Sequence, residues 1–327
     1  MIRRAITLLI TLTVAILMVP LAADAKPVGK VYQIGLLLFI ASGPNANIEA
    51  FRRILHALGW VEGQNIAIDY RWGEEKLERL RNHAAELVRR NVDVIVASSS
   101  PAVQAARQAT QTIPIVALDM ETDPVASGLA ASFARPGGNL TGVFLDQPAL
   151  SGKWLELLRE AVPDVTRVAV LWDAAINPEP LRATEVIAQV LRLPLHILEV
   201  RSPHEFEPAF EAATRARARA LMVSQSPMLS VHQTHIAALA ASRQLPTIAM
   251  FREFAQAGIL LSYGPNIQEV FRRAAIYVDK ILKGTQPGDL PIERATTFEF
   301  VINLKTAQAL GLTIQPSLLF QATEVIR

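Results

Sequence analysis

Val94-Ile95-Val96-Ala97-Ser98-Ser99-Ser100-Pro101 has a counterpart in the second half of the chain, Ala220-Leu221-Met222-Val223-Ser224-Gln225-Ser226-Pro227. In both segments four apolar residues lead into a serine-containing turn, and a proline follows. Proline suits the first turn of a helix, and serine suits the N-cap position before it. Each segment therefore predicts a buried strand that passes through a short loop into a helix.

Similar strand and helix patterns alternate along the chain from residue 31 onward. Continuous apolar runs indicate strands buried on both faces, and their alternation with amphipathic helices indicates parallel sheets with right-handed crossovers. The predicted strands span residues 33–39, 65–70, 92–97, 114–118, 140–145, 167–172, 195–200, 220–223, 247–250 and 259–262. The predicted helices span residues 46–58, 77–90, 101–110, 151–161, 179–191, 205–216, 228–243 and 268–283.

The repeated pattern predicts the fold class, an α/β protein of two similar doubly wound parallel-sheet lobes joined by a hinge. We expect lobe 1 to contain residues 27–145 and about 264–285. We expect lobe 2 to contain residues 146–263 and about 286–327. Each lobe would then consist of two separate stretches of the chain.

The first 25 residues have the pattern of a secretory signal peptide. Arg3 and Arg4 form a basic start, an uncharged apolar run follows, and Ala23-Asp24-Ala25 offers small residues for cleavage. The apolar run is also about long enough to span a bilayer, so an uncleaved anchor is the alternative. Lys26 stands where a lipoprotein would need a cysteine. We expect a cleaved signal peptide at residues 1–25 and an exported, periplasmic protein without a lipid anchor.

The composition excludes several classes of protein. Apolar residues make up 51% of the chain, charged residues 19%, and the formal net charge is +2, which argues against a disordered chain and against binding to nucleic acid. The absence of cysteine excludes disulfides, iron–sulfur ligation and a cysteine nucleophile. No dinucleotide-binding, Walker or nucleophile-elbow motif occurs, and His232 and His235 have no carboxylate nearby in sequence. We expect a monomer that is not an enzyme and needs no cofactor or metal.

The ligand site is expected beyond the carboxyl ends of the strands, where loops enter helices. Two facing lobes would place both sets of loops on one cleft, and Trp172 and Tyr263 are the aromatic side chains expected to stack on a ligand. The two serine turns have two interpretations: the hydroxyls cap helices, or hydroxyl and N–H groups hold a carboxylate or another polar ligand group. The predicted ligand-binding residues are Ser42, Asn45, Ser98, Ser99, Ser100, Thr122, Asp123, Trp172, Ser224, Gln225, Phe251 and Tyr263.

Several segments resemble a known family. They are Val61-Glu62-Gly63-Gln64-Asn65-Ile66, Asp123-Pro124-Val125 with Gly128-Leu129, Ala134-Arg135-Pro136-Gly137-Gly138-Asn139-Leu140-Thr141-Gly142, Ser262-Tyr263-Gly264-Pro265-Asn266, and residues 277–284 and 298–307. In this order they are similar to the substrate-binding proteins of ABC transporters of the tryptophan/tyrosine type. The resemblance implies a type I periplasmic-binding-protein fold that closes on a ligand and delivers it to a permease.

One position departs from the family pattern. Relatives often carry an acidic residue where this chain has Ser226, and that residue would pair with a ligand ammonium group. The carboxylates that could replace it are Asp119, Glu121, Asp123, Asp173 and Glu253.

We therefore expect a periplasmic solute-binding protein of an ABC importer. It would bind a small amino-acid-like or aromatic ligand between its lobes and deliver it to an ABC permease in the inner membrane. Two alternatives stay open at this point, a periplasmic ligand sensor for a membrane receptor and an exported α/β enzyme.

Overall fold

The structure is a computed structural model that describes residues 30–120, 123–176 and 178–327. The predicted signal peptide lies outside these residues. Within them, no helix has both the length and the apolar character of a membrane span. Residues Tyr32–Arg327 form one compact unit, which contains two β-sheets.

The first sheet is parallel throughout its described pairings. In the described chain it has the strand order β11-β5-β4-β3-β1-β2. Its strands are β1 (Tyr32–Leu38), β2 (Ile66–Trp72), β3 (Val94–Ser98), β4 (Ile115–Met120), β5 (Leu140–Phe144) and β11 (Glu293–Arg294). The helices of this lobe are α1 (Ala46–Ala57), α2 (Leu77–Arg89), α3 (Ser100–Ala109) and α10 (Ile267–Leu282).

The second sheet has the order β13-β12-β10-β9-β8-β6-β7, and the pairing of β10 with β12 is antiparallel. Its strands are β6 (Val168–Asp173), β7 (Leu195–Val200), β8 (Ala220–Val223), β9 (Thr247–Ala249), β10 (Leu261–Pro265), β12 (Phe298–Asn303) and β13 (Glu324–Ile326). The helices of this lobe are α4 (Gln147–Ala161), α5 (Glu179–Val190), α6 (Phe206–Arg215), α7 (Pro227–Val231), α8 (Gln233–Ser242), α9 (Arg252–Gln256), α11 (Leu304–Ala309) and α12 (Pro316–Gln321). Short 3-10 turns lie at Pro203–Glu205 and Pro287–Asp289.

The central strands are buried because helices cover both faces of each sheet. Every residue of β6 and of β8 is buried, as the continuous apolar runs predict. Gly142 is needed where β5 approaches β4: its φ is +146°, and a Cβ added there would lie 1.9 Å from the carbonyl oxygen of Ala117. The close packing of the first sheet thus depends on the missing side chain at this position.

The predicted fold class is confirmed: an α/β protein with two mainly parallel sheets. All ten predicted strands are present within a few residues of their expected bounds. The helix predicted over residues 228–243 is divided in two at His232, which ends α7 and precedes α8.

The end of the first lobe differs from the prediction. Residues from about 286 onward are expected in lobe 2, whereas β11 (Glu293–Arg294) pairs with β5 in the first sheet. This strand has only two residues, both charged, so no apolar run predicts it. The segment before it is held on the first lobe, where the Thr141 hydroxyl donates to the carbonyl oxygen of Leu290 at 2.9 Å. The strands β12 and β13 were also not predicted.

Three segments of the described chain connect the two sheets: the first follows β5, the second follows β10, and the third precedes β12. The backbone N–H of Asn266 donates to the carbonyl oxygen of Thr297 at 2.9 Å, which joins the second connection to the third. Arg294 forms an ion pair with Asp146 at 3.1 Å, which joins the third to the first. The connections therefore form one hydrogen-bonded hinge.

Candidate ligand-binding cleft

A cavity of about 380 Å³ lies between the two lobes. It is lined by residues at the carboxyl ends of β1 and β3 in the first sheet and of β8 and β9 in the second. This is the position where doubly wound sheets bind ligands. Its volume is in the range of small-molecule sites.

The apolar part of the cavity is contributed by both lobes. On the first lobe, Leu38, Phe39 and Ile40 follow one another at the end of β1. The α10 residues Ile267, Val270 and Phe271 lie beside them, and Leu118 of β4 completes this side. Phe251 and Val231 come from the second lobe. Aromatic rings on both lobes give the cleft a surface that suits an apolar or aromatic ligand body.

Polar side chains of the first lobe line the same cavity. Asn45 is the N-cap of α1, where its Oδ1 accepts from the N–H groups of Asn47 (2.9 Å) and Ile48 (3.3 Å). Ser98 ends β3, and Ser99 is the N-cap of α3, where its Oγ accepts from the N–H of Ala102 at 3.5 Å. Capping therefore fixes the backbone of both loops at the edge of the cavity.

The backbone of Ser99 is strained. Its φ of +92° and ψ of +150° lie outside the left-handed helical region, in a conformation that residues with a side chain rarely adopt. Ser226, the N-cap of α7 in the second lobe, accepts a 3.1 Å bond from the N–H of Leu229, but its backbone is extended at φ −154°. The capping interpretation thus applies to both turns, and the strain is confined to the turn of the first lobe.

Two polar atoms of the second lobe are buried at the cavity without a partner. Gln225 is the second residue after β8 and is only 5% exposed, and no donor among the described residues reaches its Oε1. The Oγ of Ser230 in α7 is likewise buried without a hydrogen bond to any described residue. Both side chains line the cavity. Most buried polar atoms in proteins are paired, so unpaired atoms in a cleft indicate a place for a ligand group.

The cavity has little charge. Among the described lining residues, Glu253 is the single acidic side chain, and no lysine or arginine is present. Glu253 is exposed at the start of α9. A ligand carboxylate would consequently have to be held by hydroxyl and N–H groups, whereas a ligand ammonium group could approach Glu253.

An ionic network lies behind Phe251. Arg252 contacts Glu299 of β12 at 3.5 Å and Glu324 of β13 at 2.6 Å. Burial raises the pKa of the Glu299 carboxyl; Arg252 opposes this shift, while Glu253 and Glu324 add to it. The network holds the start of α9, and with it Phe251 and Glu253, against the strands next to the hinge.

The structure places five of the predicted ligand-binding residues on the cavity: Asn45, Ser98, Ser99, Gln225 and Phe251. Thr122 lies outside the described residues. Ser42 and Ser100 lie beside the cleft loops but do not line the cavity.

The other predicted residues have structural contacts instead. The Ser224 hydroxyl donates to the carbonyl oxygen of Leu171 at 2.8 Å. Asp123 accepts from the N–H groups of Val125 and Ala126 within its own turn. Trp172 is buried at the end of β6.

Tyr263 packs behind the cleft. Its ring stacks on Phe298 with 5.8 Å between the ring centroids, and burial raises the pKa of its phenol. The indole N–H of Trp154 donates to its carbonyl oxygen at 2.6 Å. Tyr263 therefore packs within the second lobe and is not among the residues that line the cavity.

Of the carboxylates considered for a ligand ammonium group, Glu253 lines the cavity. Asp123 is used in its turn, and Asp173 accepts from the N–H of Ala175 at 2.9 Å. The side chains of Asp119 and Glu121 lie outside the described residues.

The contributions of α10, α7 and α8 to the cleft are not predictable from the sequence. Ile267, Val270 and Phe271 have the i, i+3, i+4 spacing that any core-facing helix has, so their pattern carried no signal for a binding site. Ser230 and Gln233 lie past the proline turn, inside helices, where no motif marks them as binding residues.

Sequence comparison identifies the family. The sequence pattern of the family described as "ABC transporter substrate binding protein" matches residues 34–326. The chain belongs to this family. The resemblance noted in the sequence is thereby confirmed for nearly all of this substrate-binding protein.

Relatives and solved structures agree with this assignment. The substrate-binding protein is 25% identical to a tyrosine-binding protein of Clostridioides difficile (strain R20291) over 266 residues, 81% of this chain and 76% of the relative. It is similar to an ABC domain from Streptococcus pneumonia solved in complex with L-Trp, with a TM-score of 0.84, 24% identity, and coverage of 91% of this chain and 100% of that one.

A ligand-free, open substrate binding protein with adhesive properties from Clostridium difficile has a TM-score of 0.69 at 23% identity, covering 91% of this chain and 99% of that one. A periplasmic binding protein from Burkholderia mallei has a TM-score of 0.62 at 14% identity, covering 80% of each chain. These likenesses confirm the type I periplasmic-binding-protein fold with two lobes.

Proposed function

We propose that this substrate-binding protein is the periplasmic component of an ABC importer for an aromatic, amino-acid-like ligand. The observation that carries the proposal is the interlobe cavity, which combines aromatic side chains from both lobes with buried, unpaired polar atoms. Such a surface favours a ligand with an apolar body and a few hydrogen-bonding groups.

The apolar walls favour an aromatic body. Phe39 and Phe271 of the first lobe and Phe251 of the second provide rings that can pack on a planar ligand. The curated relative is named for tyrosine, and one similar structure holds L-Trp. Both support an aromatic amino acid as the ligand here.

The polar groups suit the two ends of an amino acid. Ser98 and Ser99 line the cavity beside the first turn of α3, where backbone N–H groups have no partner within the helix, and these groups can hold a carboxylate. Glu253 offers a carboxylate for the ammonium group in place of the acidic residue that Ser226 replaces. We propose Asn45, Ser98, Ser99, Gln225 and Phe251 as ligand contacts, and Glu253 as a further one.

Binding would close the lobes on the ligand. Since the cavity walls come from both lobes, a ligand that touches both stabilises the closed arrangement over the open one. We propose that the closed protein delivers its ligand to a permease of the inner membrane and acts there as a monomer. The signal-peptide pattern of residues 1–25 supports export to the periplasm.

Isothermal titration and thermal melting test the proposal directly. L-Tryptophan, L-tyrosine and L-phenylalanine are titrated into residues 26–327, with glycine and glucose as comparison ligands. We expect saturable binding of at least one aromatic amino acid, with stabilisation of about 2.7 kcal/mol at a ligand concentration of 100 times Kd. Binding of glycine with equal affinity, or no binding of any of the three aromatic ligands, would contradict the proposal.

A further inference from the structure

The loop after β8 has three polar residues, Ser224, Gln225 and Ser226, that differ in whether their side chains are hydrogen-bonded. The Ser224 hydroxyl donates to the carbonyl oxygen of Leu171, and the Ser226 Oγ accepts from the N–H of Leu229. Gln225 lies between them, and its Oε1 has no donor among the described residues. The two serine hydroxyls are therefore hydrogen-bonded to backbone groups, and the Gln225 amide oxygen is available to a ligand in the cavity.

The Gln225 amide is not exposed to bulk water. The residue is only 5% exposed, and its unpaired oxygen is buried, so the usual explanation of a solvated surface amide does not apply. Ser230, one turn further on, has a buried hydroxyl in the same condition and lines the same cavity. Two unpaired atoms from one loop-helix unit form a polar patch in an otherwise apolar wall beside Pro227 and Val231.

The patch is suited to an uncharged ligand group. A buried ammonium group requires a carboxylate partner, and the one carboxylate among the described lining residues, Glu253, is exposed. An amide oxygen and a hydroxyl are the ordinary partners of a neutral N–H or O–H. A ligand without such a group would leave the amide oxygen with no hydrogen bond to water or ligand when the lobes close. Its binding free energy would then carry the full desolvation penalty of that oxygen.

We propose that Gln225 and Ser230 form a selectivity subsite for an uncharged N–H or O–H group on the aromatic body of the ligand. The proposal rests on the proposed function, because it places an aromatic ligand in the interlobe cavity. The subsite discriminates between ligands that carry this donor, such as a phenol or an indole, and ligands of the same shape that lack it. Sites built to bind a donor reject analogues without it strongly.

A matched ligand pair tests the subsite. Kd is measured by isothermal titration for L-tyrosine, L-tryptophan and L-phenylalanine with the wild-type protein, Gln225→Leu and the control Gln233→Leu. Gln233 lines the same cavity and undergoes the same chemical change, but it is partly exposed and has no buried unpaired atom. We expect the wild type to prefer L-tyrosine or L-tryptophan over L-phenylalanine by at least about tenfold.

The variants should separate selectivity from binding. Gln225→Leu should reduce the preference to about onefold while it keeps or improves the affinity for L-phenylalanine, and Gln233→Leu should retain the wild-type ratio. Ser230→Ala should reduce the preference in part. A wild-type ratio near one, or an equal loss of all three affinities in Gln225→Leu, overturns the subsite but leaves the proposed function intact. Failure of the wild type to bind any of the three ligands overturns both.

The melting temperature without ligand provides a second test. Because the buried Gln225 amide oxygen has no hydrogen bond in the free protein, its removal should cost no stability. The melting temperature of Gln225→Leu should therefore equal or exceed that of the wild type. A clear decrease would assign Gln225 a structural role and overturn the subsite. If Gln225→Leu does not fold, Gln225→Met, which keeps the unbranched shape, is measured in its place.

Discussion

Asn266 and Glu299 are joined across the hinge, with Asn266 Nδ2 donating to Glu299 Oε1 at 2.9 Å. Asn266 is the N-cap of α10 in the first lobe, where its own Oδ1 accepts from the N–H of Glu269. Glu299 lies in β12 of the second lobe and also contacts Arg252, which precedes the cleft residue Glu253. The hinge and the edge of the cleft thus share one polar network.

Glu299 should make stability depend on pH. Because burial raises the pKa of this carboxyl above its ordinary value of 4.5, the folded state binds the proton more tightly than the unfolded state. The contribution of Glu299 to the free energy of unfolding should therefore decrease as the pH rises from about 4.5 through the raised pKa. We expect the wild type to lose stability relative to Glu299→Gln over this window, as measured by urea unfolding at pH 4 and pH 7.

The control for this prediction is Glu269→Gln, which makes the same chemical change at a partly exposed side chain of α10. It should leave the pH dependence of the wild type unchanged. An unchanged difference between Glu299→Gln and the wild type at the two pH values would contradict the assignment of the raised pKa.

Ser99→Gly should stabilise the protein. The strained backbone at φ +92° costs about 1–3 kcal/mol with a side chain present, and glycine relieves that strain. Glycine also replaces serine at an N-cap at a cost of only a few tenths of a kcal/mol, and its greater freedom in the unfolded chain costs about 0.5–1 kcal/mol. We expect the free energy of unfolding in urea to rise by about 1 kcal/mol.

The repeated turn provides the matched control. Ser226 is also a capping serine, but its φ of −154° is extended and unstrained. Ser226→Gly should lower the free energy of unfolding by about 1 kcal/mol, because the lost cap and the greater freedom of glycine in the unfolded chain both destabilise and no strain is relieved. If both variants shift stability in the same direction, strain at Ser99 is not the cause.

Phe251→Ala should weaken ligand binding much more than it weakens the fold. Phe251 lines the cavity and is only partly buried, so its ring is available to a ligand. Loss of an aromatic contact of this kind is worth about 1.4 kcal/mol or more, which corresponds to at least a tenfold rise in Kd for L-tryptophan. Phe320→Ala, at a ring that is 90% exposed, should leave Kd unchanged. Equal affinities for the two variants would exclude Phe251 from the binding surface.

Gly142→Ala should disrupt the first sheet. An added Cβ would lie 1.9 Å from the carbonyl oxygen of Ala117, and the backbone there has φ +146°. Strain and displacement together should lower the free energy of unfolding by more than about 3 kcal/mol. Gly43→Ala, where a Cβ meets no atom within 4 Å, is the control and should change it by less than about 1 kcal/mol. A well-folded Gly142→Ala protein of normal stability would show that β4 and β5 can separate at this point.

The sequence predicted the strands well, since parallel strands buried on both faces are short, continuous apolar runs, and here each run alternates with a longer segment of helical periodicity. β11 could not be predicted in this way, because its two residues, Glu293 and Arg294, are both charged and form no apolar run. The repeated proline turns also located the helix starts correctly, since capping is a local property.

The candidate site was only partly predictable. Loops at strand ends can be located from the order of elements, and this placed Asn45, Ser98, Ser99, Gln225 and Phe251 on the cavity. Trp172 and Tyr263 are also near strand ends, but successive side chains of a strand point to opposite faces, and both rings are used in packing. Which face meets the cleft depends on how the lobes pack, and this information is not local.

The three connections of the described hinge limit how lobes can be recombined between related proteins. Each lobe combines two distant stretches of the chain, since α10 and β11 return to the first sheet after β10 and before β12. A lobe therefore cannot be exchanged between relatives as one continuous piece of coding sequence. A functional chimaera needs three junctions, placed near Asp146, Asn266 and Thr297, and mismatched junctions would separate the partners that join the two halves. New ligand preferences in such a protein should arise more readily by single substitutions in the cleft than by recombination of lobes.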